Sequence, residues 1–244
     1  MPINFASLFQ DSWNFMRNQT QFTLFGIALL AIFPIVIFML FPSVEITPQQ
    51  LQSQDNLGLL AQNMAPTLIS SVISVFINIL LIINIQAISN GNFQGFFRQS
   101  PVALKAFFPI LLLTFLMVMP LSFGISFGGL ATQAGSLAIL FIPLMASGIF
   151  IFVKLCLVSY VYLIETPQKS IFNTLKFTWQ LSRGKLTPLF LFCLLTYLLP
   201  SLIGTVIAQI GGSILSQIIS AVLNLFIVIF SVRFYQVYRQ LSAK

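Results

Sequence analysis

Six long apolar runs, separated by short polar segments, constrain this chain more than any other feature of its sequence. Each run is about 20 residues or longer, which is the length that an α-helix needs to cross a bilayer. Only 6% of the residues are charged, whereas a soluble domain carries about a quarter. So few charges cannot cover a water-facing surface. We therefore predict an all-α integral membrane protein.

The apolar runs predict six transmembrane helices in one polytopic domain, residues 1–244. The fourth run is overlong, so its helix must tilt, kink at Pro143 or project past the bilayer. The connections include a polar loop at 42–66, an uncharged turn at 131–135 and a turn at Gly211-Gly212. The predicted spans are residues 22–41, 68–88, 107–130, 137–164, 189–210 and 214–235.

The basic residues predict how the spans are oriented. Six spans place both termini on the same side of the membrane. All 11 Lys and Arg residues lie near the termini, in the two-three and four-five connections, or at the span ends that adjoin them. The other three connections contain none. Because cytoplasmic loops carry the excess of Lys and Arg, both termini are predicted to be cytoplasmic.

Two amphipathic segments are predicted to lie on the cytoplasmic membrane surface. The first is within residues 1–21 and places Trp13 at the depth of the lipid headgroups. The second runs from Gln168 to Arg183, between a helix end at 165–167 and a turn at 182–185. Ile171, Leu175 and Trp179 form its apolar stripe, which we expect to enter the acyl boundary.

Three cations of the second amphipathic segment, Lys169, Lys176 and Arg183, recur every seven residues. Facing an anionic leaflet, such cations gain on the order of 1 kcal/mol each. The predicted partners are therefore membrane lipids, anionic ones included. The alternative is that these charges serve only to orient the protein in the membrane.

Prolines near the middle of spans one, three and five indicate an internal repeat: Pro34, Pro120 and Pro200. The predicted unit is an interfacial helix, a proline-containing span, a short outer turn and a return span. Three such hairpins would run in the same direction. Proline is common in membrane helices, so chance alignment is the alternative.

Small residues at every fourth position predict close helix packing within the monomer rather than a dimer face. One run comprises Gly204, Ala208 and Gly212, and another pairs Gly124 with Gly128. The alternative is that glycine is simply frequent in membrane helices.

The residue types argue against an enzyme. There is no histidine, and the four carboxylates lie outside the spans or at their ends, without the spacing of a catalytic pair. Cys156 and Cys193 lie in apolar spans and lack the further ligands that zinc needs. We predict no catalytic residue, no cofactor and no metal site. The basic residues flank membrane spans instead of covering a soluble face, so we also predict no nucleic-acid partner.

Two cations near the cytoplasmic ends of spans are candidate contacts for a lipid headgroup or a substrate: Lys154 and Arg233. Each long side chain could instead simply reach the interface. Asn78, Asn84 and Gln86 lie within the second span. We expect these amides to form hydrogen bonds between helices rather than to line a path.

Two functions follow from these residues. The first is a non-enzymatic membrane component that contacts lipids or partner proteins through its cytoplasmic helices. The alternative is a small transporter or lipid-translocating carrier that uses Lys154 in an inner cavity. A lysine that reaches headgroups favours the first function, and a lysine that shares a polar cavity with Asn78 or Asn84 favours the second.

The order of several short motifs resembles the YciC-like family of bacterial inner-membrane proteins. The first is Asp11, Asn14, Phe15, Arg17, Asn18 and Gln19, the second surrounds Leu175, Trp179 and Arg183, and the last runs from Arg233 to Gln240. The resemblance implies a multi-pass protein of the inner membrane of a Gram-negative bacterium. It brings no catalytic residue with it.

The predicted topology can be measured with reporter fusions. A reporter that is active only outside the cytoplasm should give no signal when fused at Lys244, because the C-terminus is predicted to be cytoplasmic. The same reporter inserted near Asp55 should be active. Activity at Lys244 would reverse the orientation.

Overall fold

The computed structural model describes residues 3–41, 56–131, 141–166 and 168–242, and these ranges contain no β-strand. Six of the described helical segments are long and apolar enough to cross a membrane, which confirms the all-α fold with six spans. The described α-helices are α1 Phe5–Asn18, α2 Thr20–Leu40, α3 Asn56–Ser89, α4 Ser100–Ala131, α5 Phe141–Leu155, α6 Val158–Ile164, α7 Ile171–Leu181, α8 Leu186–Cys193 and α9 Leu199–Ser242.

A short helix precedes the first span of each successive hairpin. Helix α1 precedes α2, a 3-10 helix at Phe96–Gln99 precedes α4, and α7 precedes α8. This order is the one that the predicted repeat unit requires. The common origin of the three hairpins stays a prediction.

Helix α1 packs on the bundle instead of lying apart from it. Asn4 caps the helix, since its Oδ1 atom accepts a hydrogen bond of 3.3 Å from the Ser7 amide. The Phe9 ring stacks on Phe230 of α9, with 4.7 Å between the ring centroids. Trp13 is 60% exposed.

The second span is longer than predicted. We assigned residues 42–66 to a loop, but α3 begins at Asn56 and contains Pro66. Membrane helices accept an internal proline because neighbouring groups can satisfy the backbone atoms that it leaves free. Residues 42–55, which carry Glu45 and Asp55, lie outside the described residues, as do 132–135 of the predicted third turn and residues 137–140 of the predicted fourth span.

The fourth span is broken, but not at Pro143. That proline lies within α5, which continues past it to Leu155. The break lies at Cys156 and Leu157, which separate α5 from α6. Helix α6 then ends at Ile164, so the predicted helix end at 165–167 agrees with the structure up to Thr166; Pro167 lies outside the described residues.

The fifth and sixth spans form a hairpin inside one helical stretch. Phe192 stacks on Phe234 at 4.4 Å, although a straight helix would hold residues 42 positions apart about 60 Å from each other. The chain therefore reverses direction within α9. The pairs Phe192–Phe234 and Lys185–Leu241 are both centred on residue 213. This reversal lies beside the turn predicted at Gly211-Gly212, although α9 has no non-helical residue there.

The closest helix pair is α4 against α5. A Cβ atom added to Gly148 would lie 2.6 Å from the Pro120 carbonyl oxygen, and one added to Gly124 would lie 3.1 Å from the Met145 Cα. The prediction that Gly124 permits close packing is confirmed. Gly204 was predicted to do the same, but nothing lies within 4 Å of its hypothetical Cβ.

Gly148→Ala should lower the thermal stability of the purified protein, because the added methyl group meets backbone that cannot rotate away. Overpacking of this kind costs about 1–3 kcal/mol, against a gain in helix propensity of about 1 kcal/mol. Gly204→Ala is the matched control and should be neutral or stabilising. Equal melting temperatures for the two variants would show that Gly148 does not set the distance between α4 and α5.

Candidate functional site

The polar and charged segments predicted to share one side of the membrane meet at one end of the bundle. We call this the basic end: α1, the two-three connection, α7 and the C-terminal part of α9. The Gln86 side chain donates to the Ile164 carbonyl at 3.3 Å, and Asn84 donates to the Phe96 carbonyl at 3.0 Å. These bonds confirm that both amides link separate elements: Gln86 holds α3 against α6, and Asn84 holds the two-three connection against α3.

Glu165 is the centre of the charged groups at the basic end. Its Oε1 atom accepts hydrogen bonds of 2.7 Å from both the Tyr235 hydroxyl and the Arg239 Nε. Its Oε2 atom pairs with Lys169 Nζ at 3.2 Å. We call these four residues the Glu165 cluster. It joins the end of α6, the segment before α7 and the last turns of α9.

The environment of Glu165 favours the ionised carboxylate. Burial alone would raise the pKa of Glu165, but hydrogen bonds from Arg239, Tyr235 and Lys169 outweigh burial and lower that pKa to about 2. Phe177 of α7 adds a further contact to the two cations. Its ring lies 3.8 Å from Lys169 Nζ and 5.1 Å from Arg239 Cζ, measured to the ring centroid.

Helix α7 has its inward face against the bundle. Thr174 and Thr178 are almost fully buried, and each hydroxyl donates to the carbonyl four residues earlier, as polar side chains do when no outside partner is available. Ile171 and Leu175 pack, partly buried, against the hydrophobic cluster that α3, α4, α5 and α6 form. These two residues therefore contact protein, whereas we expected them to enter the acyl boundary.

The outward face of α7 carries a different set of residues. Phe172 is 83% exposed, and Lys176, one helical turn later, is exposed beside it. Arg183 is exposed just beyond the helix, next to Gly184, whose φ of +72° makes the predicted turn. We call Phe172, Lys176 and Arg183 the outward stripe. An exposed apolar ring together with cations is typical of a membrane interface.

Lys154 lies in neither of the environments expected for it. The residue is 7% exposed, and its Nζ lies 5.1 Å from the Trp179 ring centroid and 5.5 Å from that of Phe150. Among the described residues no carboxylate pairs with it. The ammonium group is thus held between aromatic faces, and it links α5 to α7.

Arg233 lines a polar cleft at the basic end, with a volume of about 410 Å³. Its guanidinium lies 5.3 Å from the Phe15 ring and donates to Gln236, while its Nε is buried without a hydrogen-bond partner. The cleft brings together the first and last motifs of the chain. Its lining residues are Asp11, Asn14, Phe15, Asn18, Gln19, Ile88, Ser89 and Arg233.

The five predicted contact residues therefore separate into three environments. Lys176 and Arg183 are exposed, Lys169 and Lys154 are engaged inside the protein, and Arg233 faces the cleft. Sequence reasoning missed the Glu165 cluster. Its local signal was the spacing of four residues between Glu165 and Lys169, which is typical of a helical ion pair.

Comparison with known proteins gives one informative match. The chain is 30% identical over 210 residues to an uncharacterised protein of Haemophilus influenzae (strain ATCC 51907 / DSM 11121 / KW20 / Rd), and the match covers 83% of each protein. No family model matches the chain. No solved structure matches it either.

The Glu165 cluster predicts a pH-dependent stability. Because the pKa of Glu165 is lowered on folding, the stabilisation is present at neutral pH and is lost as the pH falls from about 5 towards about 2. Glu165→Gln should remove about 1.5–3 kcal/mol at pH 7, the range for hydrogen bonds to a charged group. The melting temperatures of the two proteins should converge at low pH.

Asp11→Asn is the control for this measurement, since Asp11 forms no ion pair within the described ranges. It should melt like the native protein at pH 7. A constant difference between the native protein and Glu165→Gln across the whole pH range would contradict a role for the carboxylate charge.

Proposed function

The chain belongs to the same family as the uncharacterised Haemophilus influenzae protein, and on that premise we propose that it is a non-enzymatic, multi-pass membrane component that binds lipid headgroups at its basic end. The observation that carries this proposal is the outward stripe of α7. Packing of Thr174 and Thr178 fixes the rotation of the helix, so Phe172 and Lys176 must face away from the protein.

Anionic phospholipids fit the outward stripe best. Lys176 and Arg183 are exposed and pair with no carboxylate of the described residues, so they attract negative headgroups, and an exposed phenylalanine between the helix and the bilayer adds apolar contact. Trp13 and the exposed Arg17, one turn apart on α1, repeat the same combination of ring and cation. Two interfacial helices with this pattern would hold the basic end on a charged membrane surface.

The membrane and the orientation belong to the same proposal. We place the chain in a bacterial inner membrane with both termini in the cytoplasm, because all basic residues adjoin the connections of that side. We assign the family to the YciC-like group. Support comes from the polar cleft, where the first and last of the resembling motifs line one surface.

The alternative function, a small transporter or lipid-translocating carrier, required Lys154 to share a polar cavity with Asn78 or Asn84. Asn78 does line a cavity within the spans, but Lys154 is not among the residues that line it. Asn84 instead donates to backbone carbonyls of Leu80 and Phe96.

Replacing Lys176 and Arg183, the two cations of the outward stripe, should weaken the binding of short-chain phosphatidylglycerol to the purified full-length protein. Lys176→Gln should raise the dissociation constant about fivefold, and Lys176→Gln with Arg183→Gln about thirtyfold, at about 1 kcal/mol per charge. The loss should shrink at high salt, because exposed charges are screened. Phosphatidylcholine measures the part of binding that does not depend on charge.

Lys169→Gln is the matched control, since it removes one charge from the same segment. Lys169 already pairs with Glu165, so its replacement should leave lipid affinity nearly unchanged and lower stability instead. If Lys169→Gln and Lys176→Gln weakened lipid binding equally, net charge alone would explain the effect and the outward stripe would have no special role.

A further inference from the structure

A polar cavity of about 290 Å³ lies within the spans, and the lipid-binding proposal does not use it. Its wall is formed by α3, α4, α6, the π-helix Leu194–Leu198 and the returning arm of α9. The polar side chains of the wall are Asn78, Thr114, Ser159, Tyr160, Thr196, Tyr197, Asn224 and Ser231. So many hydrogen-bonding groups facing one space are unusual at membrane depth, where each needs a partner.

Two irregular stretches of helix border this cavity. The break between α5 and α6 places Cys156 in the wall, and the π-helix contributes Thr196 and Tyr197. Irregular helical backbone at membrane depth is tolerated where it is buried in protein or lines a cavity, and π-helical turns occur frequently at functional sites. The departures from regular helix in the fourth and fifth spans therefore coincide with the cavity.

Two polar atoms of the wall have no well-formed hydrogen bond. They are Asn78 Oδ1 and Ser231 Oγ, and both atoms are buried. Ser231 as a whole is only 1% exposed, and the Tyr160 hydroxyl is a polar neighbour of its side chain. An unpaired buried polar group is destabilising, so a molecule that bonds to these atoms, once the two side chains turn towards the cavity, would be stabilised by them.

The wall also limits which molecule can bind. No Lys, Arg, Asp or Glu lines the cavity, so a charged ligand would be buried without a counter-charge at high cost. The amide oxygen of Asn78 can only accept a hydrogen bond, so the ligand must donate one. The remainder of the wall is aliphatic, which suits an apolar portion of the same molecule.

We propose that this cavity is a binding site for an uncharged molecule with a hydroxyl group, which donates to Asn78 Oδ1 and pairs with Ser231 Oγ. The hydroxyl can come from the bilayer as a diacylglycerol or from water as glycerol. Tyr197 is 42% exposed while it lines the cavity, so its ring stands between the cavity and the outer surface of the bundle.

The test measures binding to the full-length protein in detergent. Native mass spectrometry follows the addition of dioleoylglycerol, and of its methyl ether, which keeps both acyl chains but cannot donate a hydrogen bond. Dioleoylglycerol should bind at least about tenfold more tightly than the ether, the equivalent of one hydrogen bond. In a separate arm, glycerol should raise the melting temperature of the native protein more than that of Asn78→Leu if the hydroxyl comes from water.

Asn78→Leu and Ser231→Ala should each abolish the preference for dioleoylglycerol over its methyl ether. If Asn78→Leu does not fold, Ser231→Ala provides the same measurement. Thr205→Val is the matched control. Its hydroxyl donates to the Ser201 carbonyl on the exposed side of α9, away from the cavity, so this variant should bind like the native protein. The proposal is overturned if the native protein binds the ether as well as dioleoylglycerol and glycerol acts equally on native and Asn78→Leu proteins.

Discussion

The basic end of the bundle depends on one carboxylate. Glu165 accepts hydrogen bonds from Tyr235 and Arg239 of α9 and from Lys169 before α7. Of the carboxylates within the described ranges, it alone has ion pairs, so no other carboxylate there can replace it. Without this charge, Lys169 and Arg239 would share the Phe177 ring with no carboxylate of the described residues to balance them. Through Lys169, this interaction ties the segment before α7 to the last turns of α9.

The two proposed binding surfaces differ because their surroundings differ. At the basic end water is near, so cations can stay exposed and select anionic headgroups through charge. Within the spans a charge would be costly, and the cavity wall contains only neutral donors and acceptors. A molecule that binds there is recognised through a hydrogen bond and shape. The two surfaces thus offer charge where water is available and neutral polar groups where it is not.

Helix packing explains why the cavity exists beside a tight interface. Gly148 and Gly124 let α4 and α5 approach closely, and the fourth span then breaks at Cys156 and Leu157 before continuing as α6. The break places Cys156 in the cavity wall. Large side chains from α3, α6 and α9 meet there without filling the space, and polar groups remain facing it.

Hydropathy and charge along the sequence determined the six spans, the clustering of basic segments at one end and the turn at Gly184, because each depends on neighbouring residues alone. Only the tertiary structure decided that Lys169 pairs inside the protein while Lys176 stays free, and that Asn78 faces a cavity while Asn84 bonds to backbone. These outcomes depend on how each helix is rotated about its axis. That rotation is set by packing against residues distant in sequence, as when Glu165 meets Tyr235 across 70 positions.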